Sequence, residues 1–234
     1  MNIALVLSGG KGSRVGSEIP KQYIKAGDKT VLWFCLKTLL ESKYIDKVQI
    51  VAHKEWRSEI EKELVTGGID IGKLSGFSEP GENRQLSILH GLEDILEYAG
   101  DLNDTVLIHD AARPLLSDEL IRSCFEALKG HDGVMPALPM KDTVYRSVDG
   151  RGVSELLDRG SIFAGQAPEL FRLVKYYEAN KKLLPDTILR MNGSTEPAIS
   201  AGMDVVMIPG DEMNFKVTTK EDLNRFREII TNGR

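Results

Sequence analysis

Ile3-Ala4-Leu5-Val6-Leu7, then Ser8-Gly9-Gly10-Lys11-Gly12-Ser13-Arg14, then Pro20-Lys21-Gln22 open the chain and decide its architecture. An apolar run of this length reads as a buried strand, and it empties into a loop of glycines, hydroxyls and cations. Glycines let backbone N–H groups converge and let a ligand approach the main chain closely. Lys11, Arg14 and Lys21 add cationic side chains around the same point. The loop therefore reads as a polyphosphate cradle. Two common cradles are excluded by spacing. A Walker A loop needs Lys-Ser or Lys-Thr after the last glycine, whereas the lysine here precedes Gly12. A dinucleotide fingerprint needs G-x-G-x-x-G opening a helix and an acid about 20 residues on. Here Gly16 falls one residue late, Pro20-Lys21-Gln22 does not open a helix, and the next strand ends at His53. A long cationic loop suits a nucleoside triphosphate better.

Outward from this strand, apolar runs at 3–7, 47–52, 73–77, 105–109, 133–138 and 205–208 alternate with helix-period segments. The helical segments are 31–42, 55–64, 84–98, 117–128, 168–184 and 219–231. Such alternation predicts βαβ units in an α/β fold: a Rossmann-like, mostly parallel twisted sheet with helices on both faces. Ligands in these sheets bind outside the carboxyl ends of the strands, where every loop of interest here lies. The polar segment 141–159 breaks the alternation. Asp149-Gly150 marks a turn between short alternating runs, so a projecting β-arm is expected, with a disordered insertion as the other reading. Val144, Tyr145, Val153 and Leu157 on such an arm need a partner surface, which points to a homodimer joined through about 140–160. No linker or repeat divides residues 1–234, so a single domain is expected.

Bulk properties set limits. A net charge of −5 opposes a nucleic-acid binder, so an anionic ligand must be held by local charge. No apolar run approaches the roughly 20 residues of a membrane helix, and no cationic leader precedes an apolar segment, so a cytoplasmic protein with no membrane partner is expected. Cys35 and Cys124 lie in apolar helical patterns and read as reduced core thiols; no Cys/His spacing resembles a zinc site.

Three further loops can carry chemistry. In Ser78-Glu79-Pro80-Gly81-Glu82-Asn83-Arg84, Gly81 permits an unusual backbone angle and Glu82 and Asn83 can cap the helix. The same turn also reads as a nucleobase or ribose contact through Gly81 and Ser87. In His109-Asp110-Ala111-Ala112-Arg113-Pro114, Asp110 at a strand end beside phosphates is placed to hold Mg²⁺. Arg113 reads first as a structural partner of Asp110 and second as a phosphate ligand, and His109 as a packed strand-end residue. Late in the chain, Lys216 sits between Phe215 and Val217 in a strand-like stretch and reads as a fixed phosphate clamp.

Taken together, these motifs resemble one family. Leu-Ser-Gly-Gly-Lys-Gly-Ser-Arg at 7–14, Pro-Lys-Gln-Tyr at 20–23, His-Asp-Ala-Ala-Arg-Pro at 109–114, Asp142-Thr143, Asp158-Arg159, Gly165-Gln166 and Lys216-Val217-Thr218 stand in its order. The chain is similar to cytidylyltransferases acting on 2-C-methyl-D-erythritol 4-phosphate or D-ribitol 5-phosphate. The resemblance implies transfer of CMP from CTP to a polyol phosphate with Mg²⁺, and release of pyrophosphate, in a homodimer. It implies nucleotide contacts at Leu7, Ser8, Gly9, Gly10, Lys11, Gly12, Gly81, Glu82, Ser87 and Ala111, and a metal contact at Asp110. It gives Arg14 and Lys21 the charge growing at the α-phosphate, and Arg159 and Lys216 the acceptor phosphate, with Arg159 reaching in from the dimer partner. Two departures fall on the acceptor side. Ala167-Pro168 replaces a Thr-Pro pair, and a Thr-Asp pair aligns with Asn192-Gly193 or, with three residues lost, with Thr195-Glu196. These favour a ribitol-type acceptor first and methylerythritol phosphate second. A non-catalytic nucleotide-binding homologue and a dehydrogenase are the rival readings.

Overall fold

The computed structural model describes residues 1–10 and 19–233. The strands and helices in chain order are β1 (Asn2–Leu7), β2 (Lys25–Ala26), β3 (Lys29–Thr30), α1 (Val31–Glu41), β4 (Lys47–Val51), α2 (Lys54–Thr66), β5 (Leu74–Ser78), α3 (Arg84–Leu96) and β6 (Thr105–Asp110). After these come α4 (Asp118–Ala127), β7 (Gly133–Pro139), β8 (Val144–Arg146), β9 (Glu155–Leu157), β10 (Phe163–Gly165), β11 (Glu169–Arg172), α5 (Leu173–Lys181), α6 (Glu196–Ser200), β12 (Val205–Pro209) and α7 (Lys220–Thr231). An eight-stranded sheet runs β10-β7-β11-β6-β1-β4-β5, with β12 on the free side of β7. β1 is parallel to both β4 and β6. The chain therefore travels from β1 outward to β5 and returns on the other flank with β6, which makes the β1/β6 boundary a topological switch point.

Alternation along the strands splits the core into two layers. Ile3, Leu5, Val106 and Ile108 pack with Ile88 and Leu92 of α3 and Tyr176 of α5. Ala4, Val6 and Leu107 pack with Leu36 of α1, Leu64 of α2 and Ile121 of α4. Burying each such large side chain contributes about 1.5–3 kcal/mol. Cys35 and Cys124 are free thiols inside the second layer, as expected.

The segment 168–184 is not one helix. Glu169–Arg172 is a strand inserted antiparallel between β6 and β7, and only Leu173–Lys181 is helical. Leu170 packs into one core layer and Phe171 into the other, a demand that a central strand meets and an amphipathic helix does not. The arm is a hairpin: β8 pairs antiparallel with β9, and Asp149 Oδ1 accepts from the N–H groups of Arg151 and Gly152 in the turn. A third apolar cluster joins α7 to the β2–β3 hairpin and buries Val217 beside Phe226. Among the described residues no helix is long and apolar enough to cross a membrane.

Candidate active site

The carboxyl ends of β1, β4, β5 and β6 converge on one cavity of about 780 Å³, within the size range of small-ligand sites. Its wall contains Leu7, Gly9 and Gly10 after β1, His53 after β4, Gly81 to Arg84 after β5, and Asp110 to Ala112 after β6. Lys21, Gln22, Ser87 and Lys216 complete it. Gly9 and Gly10 of the cradle, the β5 turn, the acid, the nucleotide-side cation Lys21 and the acceptor-side cation Lys216 thus meet at one rim. Arg14, Lys11 and Gly12 lie outside the described residues. Ser8 is buried behind the wall, where its Oγ donates to Tyr23 Oη at 2.9 Å.

Asp110 is the electrostatic centre. Arg84 Nη2 donates to its Oδ1 at 2.8 Å and Lys216 Nζ to its Oδ2 at 2.8 Å, while Arg113 Nε lies 3.9 Å from Oδ2. Burial pushes the carboxyl up, but Arg84 and Lys216 outweigh it and hold Asp110 well below the usual carboxylate range. It is therefore ionised. Each carboxylate oxygen keeps a second lone-pair direction beyond the bond it accepts. Mg²⁺ is commonly held by one or two carboxylates plus substrate phosphates, a donor set that Asp110 fits. Among the described residues no group of three or more His, Cys, Asp or Glu side chains forms a self-sufficient metal cage.

Lys216 does not lie on a strand. It sits in an irregular segment before α7, anchored where Val217 N–H donates to Ala112 O at 2.8 Å and Val217 is buried. Gly81 does not need a positive φ. Its requirement is closeness, since a Cβ there would lie 2.7 Å from the Leu86 carbonyl carbon. Gly9 is constrained in the same way: its Cβ would meet Pro80 Cβ at 2.6 Å. Asn83, not Glu82, caps α3, accepting from Leu86 N–H at 2.8 Å, and Glu82 stands exposed on the cavity wall. Ser87 Oγ accepts from Gly81 N–H at 3.0 Å and donates to Asn83 O at 2.8 Å, so its proton is already committed to the turn.

Arg113 takes the structural role: Nη1 donates to Asn214 O at 2.6 Å and the residue is not on the cavity wall. His109 is fully buried with Nε2 3.1 Å from Arg113 O, and burial pushes its imidazole down to about 4. Arg159 is not brought to the cavity. It is exposed at the root of the arm, where Nη1 donates to Lys141 O at 2.9 Å. On the acceptor side Asn192 is exposed, whereas Thr195 is buried and donates to Glu169 Oε1 at 2.7 Å.

Arg84 was not singled out by the sequence, although a signal existed. It occupies the first turn of α3, where the helix dipole disfavours a cation, and Asp110 is what compensates. Gln22 and His53 on the wall were likewise missed as site residues.

Comparison with known proteins follows the same lines. The family model for IspD, 2-C-methyl-D-erythritol 4-phosphate cytidylyltransferase, matches residues 2–232. A bifunctional enzyme IspD/IspF of Wolbachia pipientis is 36% identical over 226 residues, 94% of this chain and 53% of that protein. The chain thus spans about half the length of the bifunctional relatives it matches. A 2-C-methyl-D-erythritol 4-phosphate cytidylyltransferase of Rubrobacter xylanophilus is 34% identical over 223 residues, 94% of this chain and 91% of that one. A ribitol-5-phosphate cytidylyltransferase of Vibrio parahaemolyticus is 32% identical over 231 residues, 98% of this chain and 96% of that one. The crystal structure of 4-diphosphocytidyl-2C-methyl-D-erythritol synthase from Anaerococcus prevotii matches with TM-score 0.81 at 25% identity, covering 98% of this chain and 96% of that chain.

Proposed function

We propose, because this chain belongs to the 2-C-methyl-D-erythritol 4-phosphate cytidylyltransferase family, that it transfers CMP from CTP to 2-C-methyl-D-erythritol 4-phosphate. The observation that carries the chemistry is one ionised carboxylate, Asp110, held between Arg84 and Lys216 on a rim shared with the glycine turn and Lys21. The acceptor's phosphate oxygen attacks the α-phosphorus of CTP. A new P–O bond forms as the bond to the β-phosphate oxygen breaks, and pyrophosphate leaves with the electron pair. Such reactions need positioning and preorganised positive charge, not a protein nucleophile.

Lys21 and Arg14 supply charge at the α-phosphate and the leaving group. Lys216 orients the acceptor phosphate, held in place by Asp110. Leu7, Gly9, Gly10, Gly81, Glu82, Ser87 and Ala111 enclose the nucleotide. Asp110 would hold Mg²⁺, which neutralises triphosphate charge when bound. Arg159 would serve the acceptor phosphate of the partner protomer in a homodimer joined through the arm, where Tyr145 and Val153 are 56% and 71% exposed.

The sequence placed a ribitol-type acceptor first. The family match over residues 2–232 supports the opposite order, and D-ribitol 5-phosphate becomes the second reading. It keeps support from the Vibrio relative. Pyrophosphate release from CTP and Mg²⁺ with each acceptor decides between them. The expected result is a higher kcat/KM with 2-C-methyl-D-erythritol 4-phosphate. A higher value with D-ribitol 5-phosphate installs the second reading, and release with neither overturns both.

A further inference from the structure

Successive carbonyls of the glycine turn are pinned by side chains. Gln22, only 3% exposed, donates from Nε2 to Ser8 O at 2.7 Å and to Gly10 O at 2.8 Å. Tyr23 Oη also donates to Ser8 O at 3.1 Å, and His53 Nε2 lies 3.2 Å from Gly9 O. In a trans peptide the N–H points opposite to the C=O. Holding the Ser8 and Gly9 carbonyls on these anchors therefore turns the N–H groups of Gly9 and Gly10 the other way. Neither N–H has a hydrogen-bond partner among the described residues, and both glycines line the cavity. A primary amide has two hydrogens to give, one for each carbonyl. The same short helical turn, Lys21–Tyr23, buries Gln22 and Tyr23 and so fixes Lys21 on the cavity wall.

We propose that Gln22 is a positioning residue for the nucleotide: it braces the Ser8–Gly10 turn with its N–H groups presented to triphosphate oxygens. This rests on the CTP reading above. It predicts an effect on CTP and not on the acceptor, because the braced groups all lie on the donor side.

The test titrates CTP calorimetrically against wild type, Gln22→Met and Gln22→Glu, and measures KM for both substrates. Met fills a similar volume without a donor, while Glu is isosteric with Gln but turns lone pairs toward the two carbonyls. Losing two hydrogen bonds should raise the Kd and KM for CTP about tenfold in Gln22→Met and further in Gln22→Glu, leaving the acceptor KM within about twofold. A Gln22→Met protein that binds CTP like wild type overturns the proposal. So does a Gln22→Glu protein that binds CTP better than Gln22→Met, because packing alone would favour the isostere. Tyr23→Phe provides an independent reading, since it keeps the 4.1 Å stack on Trp56 and removes only the hydroxyl. About a threefold rise in CTP Kd supports the brace, and an unchanged Kd opposes it. Wild type that binds no CTP fails the substrate reading itself, which the first titration registers separately.

Discussion

The cavity wall and the 141–165 segment are built in opposite ways. Every anchoring group of the wall is tied to a buried strand end or to a neighbouring side chain: Asp110 to Arg84 and Lys216, Ser8 and Gly10 to Gln22, Gly81 to Ser87. The arm is a two-stranded hairpin whose Tyr145, Val148, Val153 and Leu156 stand in solvent, and its Arg159 side chain donates to a carbonyl of its own root. A two-stranded hairpin alone is marginal in water. The cavity wall proposed to hold the nucleotide is therefore preorganised within one chain, whereas a second protomer would have to bring Arg159 to the proposed acceptor side.

The comparison breaks most visibly at Lys21. Lys21→Ala should lower kcat/KM by about 10²–10³-fold with little change in melting temperature. Wild-type turnover in that variant would remove the wall's cation from the chemistry. Asp110→Asn keeps the shape but leaves Arg84 and Lys216 facing an amide. It should lower turnover and also cost about 3–5 kcal/mol in denaturant unfolding, because two cations lose a buried partner. Unchanged stability would show that the ion pairs do not hold the site together. Because Asp110 is held low in the fold, it stays charged through neutral pH, and its contribution is lost only as pH falls below the ordinary carboxylate range.

His109 gives a smaller, pH-dependent effect. Its folded-state value is about 4 against 6.5 unfolded, so between these the unfolded chain binds more protons and stability falls as pH falls. The loss should reach about 3 kcal/mol by pH 4, and His109→Gln should flatten that slope in unfolding curves from pH 7 to 4. An unaltered slope would place the titration elsewhere. The arm carries the smallest expected change: Arg159→Ala should raise the acceptor KM about tenfold and leave the CTP KM alone. Equal loss on both substrates would tie the arm to the donor half.

Much of this division was legible in the sequence. The strands β1, β4 and β6 announce themselves as apolar runs, and the place of Asp110 on the cavity wall follows from where β6 ends. What was hidden depends on distant partners. β11 was absorbed into a helix because Leu170-Phe171 fits either period, and only burial on both faces decides between them. Arg84 marks only the start of a helix in the sequence, because its partner Asp110 lies 26 residues on. Gln22 lies 12 and 14 residues from the carbonyls it holds, so the motif Pro-Lys-Gln-Tyr that contains it does not reveal what it bonds. Lys216 seemed strand-borne because alternating apolar neighbours mimic a strand, whereas Val217 is held by α7 and a single bond to Ala112.

The central claim, that one protomer supplies the donor half and its partner the acceptor cation, is tested by complementation. Lys21→Ala and Arg159→Ala proteins are each assayed alone at an acceptor concentration well below its KM, where Arg159→Ala keeps about a tenth of wild-type activity, then mixed equally, dissociated and reassembled. If the site is shared across a two-fold axis, half of the dimers are mixed and each restores one intact site, so activity returns to about a quarter of wild type. Activity no higher in the mixture than in its components would contradict the shared site.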